Sequence, residues 1–438
     1  MNSRRRETGT VDAMDYLPRL VEPYLADLLT ALPAVVVEGP KAVGKTATAR
    51  RLAKSVIALD DEAERQAMRD DRERITRLAP PLLIDEWQYY PPVWDRVRRS
   101  VDEDYSPGRF ILAGSATPIK APKHSGAGRI VHVRMRPLSL AERQLGESAV
   151  SLGTVLAGET PAIAGTTPVK IADYAEEIVK GGLPSLRLVG ERFRRVAWNG
   201  YLAEVLDRDI EELGMTVRRP ATLRAWLRSY AGATSTTASY VDILDNATPA
   251  DTDKPSKTTT LAWREILGRM WLLDPLDAWE DQLGCVTKLA KAPKHHLADP
   301  ALAAHLLGVT ASTLLATPNA DGAPFGRSGT LFGALFESLV AMSVRVYAEV
   351  AGATVSHLRT RGGDHEVDLI VTRDDGKIVA IEVKSSPDIH DDDVKHLRWL
   401  KNMMSVNLVD ALVVTTGNAA YRRSSDGIAV VPAVLLGA

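Results

Sequence analysis

Cysteine is almost absent from this chain of 438 residues, with Cys285 the only one. A single thiol excludes an intramolecular disulfide and fits a reducing compartment. Aromatic residues are scarce, at 5%. They are scattered rather than interleaved with basic residues, so no stacking groove for single-stranded nucleic acid can be read from them. An excess of one charge sign is also missing: the formal net charge is −2, and any nucleic-acid surface must be a local patch rather than a global basic field. The basic start, Arg4 to Arg6, is followed by no apolar stretch of the secretory kind and reads as a solvated tail or a phosphate contact. No uninterrupted apolar run approaches the roughly 18–20 residues needed to span a bilayer, so a cytoplasmic protein without a membrane partner is expected. His295, His296, His357, His365 and His390 lack zinc-binding spacing and read as surface or turn histidines.

What is present is 45% hydrophobic and 25% charged residues, ordinary for a globular chain of about two to four domains. Residues 15–32 carry apolar positions at helical spacing. The runs PAVVVEG (33–39), LAPPLLIDE (78–86) and RFILAGSA (109–116) read as buried strands. Helices TATARRLAKS and WDRVRRSVDE alternate with these strands, which predicts a parallel α/β sheet. RIVHVRMRPLSLAERQ should be a strand running into a helix. Residues 145–170, rich in Gly, Thr, Ala and Pro, read as a linker, and 171–230 as helical. Polar breaks at 246–260 and 316–330 bracket further helices, and the first could be a helix-turn-helix turn with an insertion.

The stretch GPKAVGKT fits the G-x-x-x-x-G-K-[ST] pattern between a strand and a helix, which is the context a phosphate-binding loop requires. Gly39, Pro40, Lys41, Ala42, Val43, Gly44, Lys45, Thr46 and Ala47 would wrap the phosphates with backbone N–H groups and a helix N-terminus. Lys45 should reach the β- and γ-phosphates of ATP, and the Thr46 hydroxyl should coordinate Mg2+. In PLLIDEWQ, Asp85 emerges from a buried strand to hold the metal, and Glu86 is placed to activate water. Ser115 either senses the γ-phosphate or simply ends its strand. Arg129 either inserts into a nucleotide site, of this chain or a neighbour, or is solvated.

The ordered set GPKAVGKT, LDDEAERQAMRDD, LLIDEWQYYPPVWDRVRRSVDED, GRFILAGSATP, AGRI and RPLSLAE resembles the bacterial and archaeal AAA-superfamily ATPases called "ATP-binding protein". GGLPSLRL, YLAEVLDRDI, HLADPALAAHLL and the series LFESLV, EVDLIV, IEVKSS resemble the C-terminal half of that family, a domain of unknown function similar to PD-(D/E)XK nucleases. The resemblance implies an α/β chain in four parts. These are an AAA-type P-loop ATPase core (1–144), a linker and helical region (145–215), a winged-helix-like region (216–325), and an α/β restriction-endonuclease-like domain (326–438). Residues 234–267 depart from the family's winged-helix pattern.

Within the last part, HEVDLIVTRDDGKIVAIEVKSS (365–386) predicts two strands joined by Asp-Asp-Gly. Glu382 and Lys384 share a strand face. With Asp368 they could bind Mg2+ or Mn2+, hard cations suited to oxygen ligands, and Lys384 could position water. Glu337 interrupts an apolar helix and is a candidate further ligand, because a buried carboxylate needs a partner. The competing reading is a solvated, paired hairpin. Two functions stay open: an ATPase coupled to a nuclease-like module acting on or binding DNA, and an ATP-regulated switch that recognises a protein or nucleic acid without cutting. A weaker third is a defence or stress ATPase with a latent nuclease. An oligomer is possible for all three.

Overall fold

The computed structural model describes residues 16–116, 125–159, 161–248, 254–280, 286, 289–316, 330–404 and 407–438. The sequence readings on Cys285, on Arg4 to Arg6, and on parts of the two polar breaks lie outside these residues.

Five short strands form the first sheet: β1 (Ala34–Glu38), β2 (Ser55–Ala58), β3 (Leu82–Asp85), β4 (Phe110–Gly114) and β5 (Ile130–Arg134). Their order is β2-β3-β4-β1-β5, and every neighbouring pair is parallel. β1, β3 and β4 are buried along their whole length, as expected of near-continuous apolar runs covered on both faces. Helices Lys45–Leu52 and Pro92–Glu103 supply cover. Because all five strands run the same way, the residues that follow β1, β3 and β4 emerge at one edge of the sheet.

Residues 145–170, expected to be a linker, carry strands instead. Two-residue strands β6 (Val150–Ser151) and β7 (Gly165–Thr166) lie within them. β7 pairs with β12 (Ala419–Arg422) and β6 with β14 (Leu436–Gly437), near the C-terminus. Between them in the chain stand β8 (Thr354–Arg359), β9 (Glu366–Thr372), β10 (Ile378–Lys384), β11 (Leu408–Thr415) and β13 (Ala429–Pro432). The second sheet runs β7-β12-β13-β11-β10-β9-β8. β8 to β10 form an antiparallel meander, and β10, β11 and β13 are parallel.

The middle of the chain is helical as expected. Helices Pro220–Gly232, Tyr240–Ala247 and Lys257–Arg269 are followed by two antiparallel bridges, Leu273 to Leu297 and Leu276 to Lys294. This bridged segment then lies along β8: the Trp279 N–H donates to the His357 carbonyl and the Ala290 N–H to that of Arg359. The exposed edge of the second sheet is thereby covered, which removes a template for strand addition.

Helix Leu331–Val350 joins all parts of the molecule. It packs against helices Val21–Ala31, Ile171–Lys180 and Pro300–Leu307 and against β8 to β10. By length and composition it could cross a membrane, but 78% of its most apolar window is buried inside the protein. Its Ser343 Oγ accepts from Leu140 N (3.1 Å), and Tyr347 Oη accepts from Ala141 N (3.1 Å).

At the three-way junction stands Asp274, 3% exposed. It is paired with Arg134 (2.9 Å) and Arg136 (2.9 Å), from the end of the first sheet, and with Arg345 (2.7 Å) of the long helix. Burial alone would raise the Asp274 pKa, but the three guanidinium groups hold it far below the usual carboxylate range.

Candidate active site

β1 delivers the chain into the phosphate loop, and the loop needs its glycines. A Cβ on Gly39 would lie 2.1 Å from the Met135 carbonyl oxygen, and Gly44 has φ +103°, a conformation L side chains rarely adopt. Gly44 opens helix Lys45–Leu52, so the helix N-terminus faces the loop. Arg19, itself buried, donates to the Val43 carbonyl (2.8 Å) and pairs with Glu142 (2.9 Å). That bond ties the loop to the segment after β5.

The buried Lys45 ammonium donates to the Gly39 and Pro40 carbonyls, 2.9 Å each. Burial pulls its pKa down to about 8, against the raising effect of Glu86 and Asp85. Thr46 Oγ1 donates to Asp85 Oδ1 at 2.9 Å, and burial raises the Asp85 pKa. The hydroxyl and carboxylate of Thr46 and Asp85 are hard oxygen donors at hydrogen-bond distance, a set that fits Mg2+ beside phosphates. Glu86, the next residue, has φ +49°. Its carboxylate accepts from Ser115 Oγ (3.1 Å) and from the Gln88 side-chain amide. The edge of the parallel sheet thus brings together Lys45, Thr46, Asp85, Glu86 and Ser115.

It does not bring Arg129. That residue precedes β5, and the Ile130 end of β5 pairs with Ala34 at the start of β1, at the edge away from the phosphate loop. There Arg129 is bound to Asp102 at 2.8 Å. The strand direction places Arg129 away from the phosphate loop of its own chain.

The helical region closes over the loop. Helix Glu191–Ala203 continues through a π-helical turn, Glu204–Asp209, a distortion that often marks functional positions. Asp209 Oδ1 binds Lys41 Nζ at 2.8 Å, and Tyr201 Oη donates to the Lys41 carbonyl at 3.3 Å. A cavity of about 390 Å³ lies here, lined by Lys41, Gln88, Tyr89, Ser115, Tyr201 and Asp209 among others. Nothing in the sequence marked Asp209 or Tyr201 as neighbours of the loop. If Asp209 holds Lys41 away from the phosphates, Asp209→Asn is expected to tighten binding of a fluorescent ATP analogue by up to about fivefold, the worth of an exposed ion pair. Unchanged affinity in that titration means the pair is indifferent to the nucleotide.

The C-terminal constellation is gathered too, in a cleft of about 880 Å³, but around a residue the sequence reading missed. Lys294, 1% exposed, sends Nζ between Asp368 Oδ1 (2.8 Å), Glu366 Oε1 (2.9 Å) and Glu337 Oε1 (3.0 Å). Burial would lower the Lys294 pKa, and the three carboxylates outweigh it and raise it well above the ordinary value. Burial lifts Glu337 and Glu382 each to about 8. For Asp368 the Lys294 charge overrides burial, and its pKa is lowered. Lys384 is bound to Glu382 Oε1 at 2.9 Å, so it is an ion-pair partner here. Glu337, Asp368 and Glu382, the expected ligands for Mg2+ or Mn2+, thus line one cleft, with the Lys294 ammonium bound to two of them; among the described residues no group of His, Cys, Asp and Glu is disposed as a metal site.

The histidine reading also changes. His295, His296 and His357 are buried, not surface residues. Their rings bond the Ala238 carbonyl (2.7 Å), Ser338 Oγ (3.1 Å) and the Ala292 carbonyl (2.9 Å), which anchors the segment carrying Lys294. Burial lowers the His296 and His357 pKa values to about 3 and about 4, so both rings are neutral struts.

Compared with known proteins, residues 171–313 and 332–436 match two domains of unknown function, DUF8612 and DUF4143. Uncharacterized proteins of Mycobacterium bovis and Mycobacterium tuberculosis are each 27% identical over 318 residues, 69% of this chain and 62% of theirs. The chain therefore spans less than two thirds of the length of those relatives. A Walker-type ATPase of Pyrococcus abyssi overlays with a TM-score of 0.41 at 16% identity, covering 67% of this chain and 97% of its own, a likeness too distant to bear on the site. Residues 32–144 match the family described as an AAA domain. The phosphate loop, Asp85 and Glu86 all fall inside that match, which supports an AAA-type ATPase core in this part of the chain.

Proposed function

We propose that the chain is a magnesium-dependent ATPase that works as a nucleotide-driven switch. The observation that carries this is the 2.9 Å bond from Thr46 Oγ1 to Asp85 Oδ1 beside the Lys45 ammonium, with Glu86 next in the chain. Residues 39–47 would hold the phosphates, and Thr46 and Asp85 would hold Mg2+, which when bound neutralises phosphate charge. Glu86 orients the attacking water and takes its proton. Ser115, bonded to Glu86, keeps that carboxylate aimed.

The switch reading is supported by the bonds that leave the loop. Lys41 touches the helical region through Asp209 and Tyr201, and the Arg134 and Arg136 pairs with Asp274 reach the long helix. The output would be recognition of a protein or nucleic acid by the middle and C-terminal parts. Three helices followed by antiparallel bridges support the winged-helix-like reading of the middle. A second reading adds DNA cleavage by a nuclease-like C-terminal domain. It is favoured by the order helix, β8, β9, β10, helix Lys395–Met403, β11, and disfavoured by the ammonium group among its carboxylates.

The test is ATP turnover, with and without DNA and RNA, for the wild type and Lys45→Ala. The substitution removes the cation nearest the phosphates and is expected to cut turnover at least about 100-fold. Turnover that survives it overturns the proposal.

A further inference from the structure

Six acidic residues line the C-terminal cleft, and four of them, Glu337, Glu366, Asp368 and Glu382, offer carboxylates of the type a divalent cation would need. Glu382 Oε2 is buried and has no hydrogen-bond partner, while Oε1 of the same carboxylate is paired with Lys384. Yet the place such an ion would take lies against Lys294 Nζ, 2.8 to 3.0 Å from three carboxylate oxygens. Divalent ions sit 2.0 to 2.6 Å from such oxygens, so an ion bound to these same three oxygens would stand directly against the Lys294 ammonium.

Nor is the lysine a loose arm. Its backbone exchanges two 2.9 Å hydrogen bonds with Leu276, the His295 N–H donates to the Thr236 carbonyl (2.9 Å), and the Asp274 N–H donates to the His296 carbonyl (2.9 Å). Withdrawing Nζ from the carboxylates therefore means either extruding a buried side chain or breaking that bridge. A buried ammonium with three carboxylates has its charge compensated, and a buried cluster of carboxylates without it does not.

We propose that Lys294 is the built-in cation of this cleft, standing in the place of a metal and closing the site to divalent ions. The C-terminal domain, as folded, then has no metal-dependent hydrolysis of its own. The inference is independent of the ATP site, and failure of either leaves the other standing.

The experiment is Mn2+ titration of nucleotide-free full-length protein, read by electron paramagnetic resonance. It is done in an Asp85→Asn background so that the nucleotide site does not contribute. The expected result is no Mn2+ bound in that background and a gain of one Mn2+ per chain in Lys294→Met, at concentrations of order 10⁻⁴ M. Adding Asp368→Asn should abolish the gain. A folded Lys294→Met protein that binds no Mn2+ overturns the proposal, because the cleft is then no cation site. Should Lys294→Met fail to fold, the parent decides alone. One Mn2+ bound there and lost on adding Asp368→Asn shows that Lys294 yields to metal, and no such ion supports the closed site.

Discussion

Replacing Glu86 by Gln is expected to lower ATP turnover by about 10²- to 10⁴-fold, the usual worth of a positioned general base, while ATP remains bound. The substitution keeps the size and one acceptor oxygen of the side chain, so the Ser115 hydroxyl at 3.1 Å retains a partner. Binding should persist because the loop, Lys45 and Thr46 are untouched. The residue sits at φ +49°, in a region that costs a non-glycine residue on the order of 1–3 kcal/mol and that proteins tolerate mainly at functional positions. That twist turns the carboxylate away from the strand and toward Ser115. The measurement is phosphate release beside ATP-analogue affinity. Turnover within tenfold of the wild type would move the water-activating role to another group. Ser115→Ala provides the contrast, since it removes only an aiming contact.

Asp274→Asn should be the most damaging single change to stability. It strips the negative charge from a site where Arg134, Arg136 and Arg345 converge within 2.9 Å. Breaking a buried ion pair from one side costs roughly 3–5 kcal/mol, and here three guanidinium groups lose their partner. Burial already lowers the Arg345 pKa to about 9 despite Asp274. The pH dependence has a definite sign. The folded pKa of Asp274 is depressed relative to an unfolded value of about 3.9, so its contribution is present in full above about pH 4. It is lost progressively as pH falls below that, because the unfolded chain takes up the proton first. Denaturant unfolding should show the wild type losing stability over that acid range and the variant lacking the same increment at every higher pH. A variant within about 1 kcal/mol of the wild type would mean that water or Glu349 compensates the arginines.

The candidate nucleotide site could be read because its parts are local: one nine-residue loop between a strand and a helix, and two carboxylates at a strand end. The long helix Leu331–Val350 and the β9–β10 hairpin were equally plain, since their periodicity and turn residues agree. For Arg129 the sequence held part of the answer: a residue just before a parallel strand lies at the edge opposite its own chain's phosphate loop, which leaves the neighbouring-chain and solvated readings. Lys294 could not be found that way. Its role depends on the Leu276 to Lys294 bridge, a long-range pairing with no motif, and its neighbours His295 and His296 drew attention only as a failed zinc pattern. Residues 145–170 read as a linker because two-residue strands carry no alternation. Their strand character comes entirely from partners near the far end of the chain.

Those partners bear on how the protein is made. β6 at residue 150 pairs with β14 at residue 436, and β7 at 165 with β12 at 419. During synthesis the first sheet can form early, but the 145–170 segment must wait until its partners around residues 419 and 436 have left the ribosome. Contacts of such sequence separation are slow to close, and incomplete sheets expose edges that aggregate. Adding β7 to the edge of the second sheet, and closing β6 onto β14 as a separate two-stranded ladder, are therefore late events.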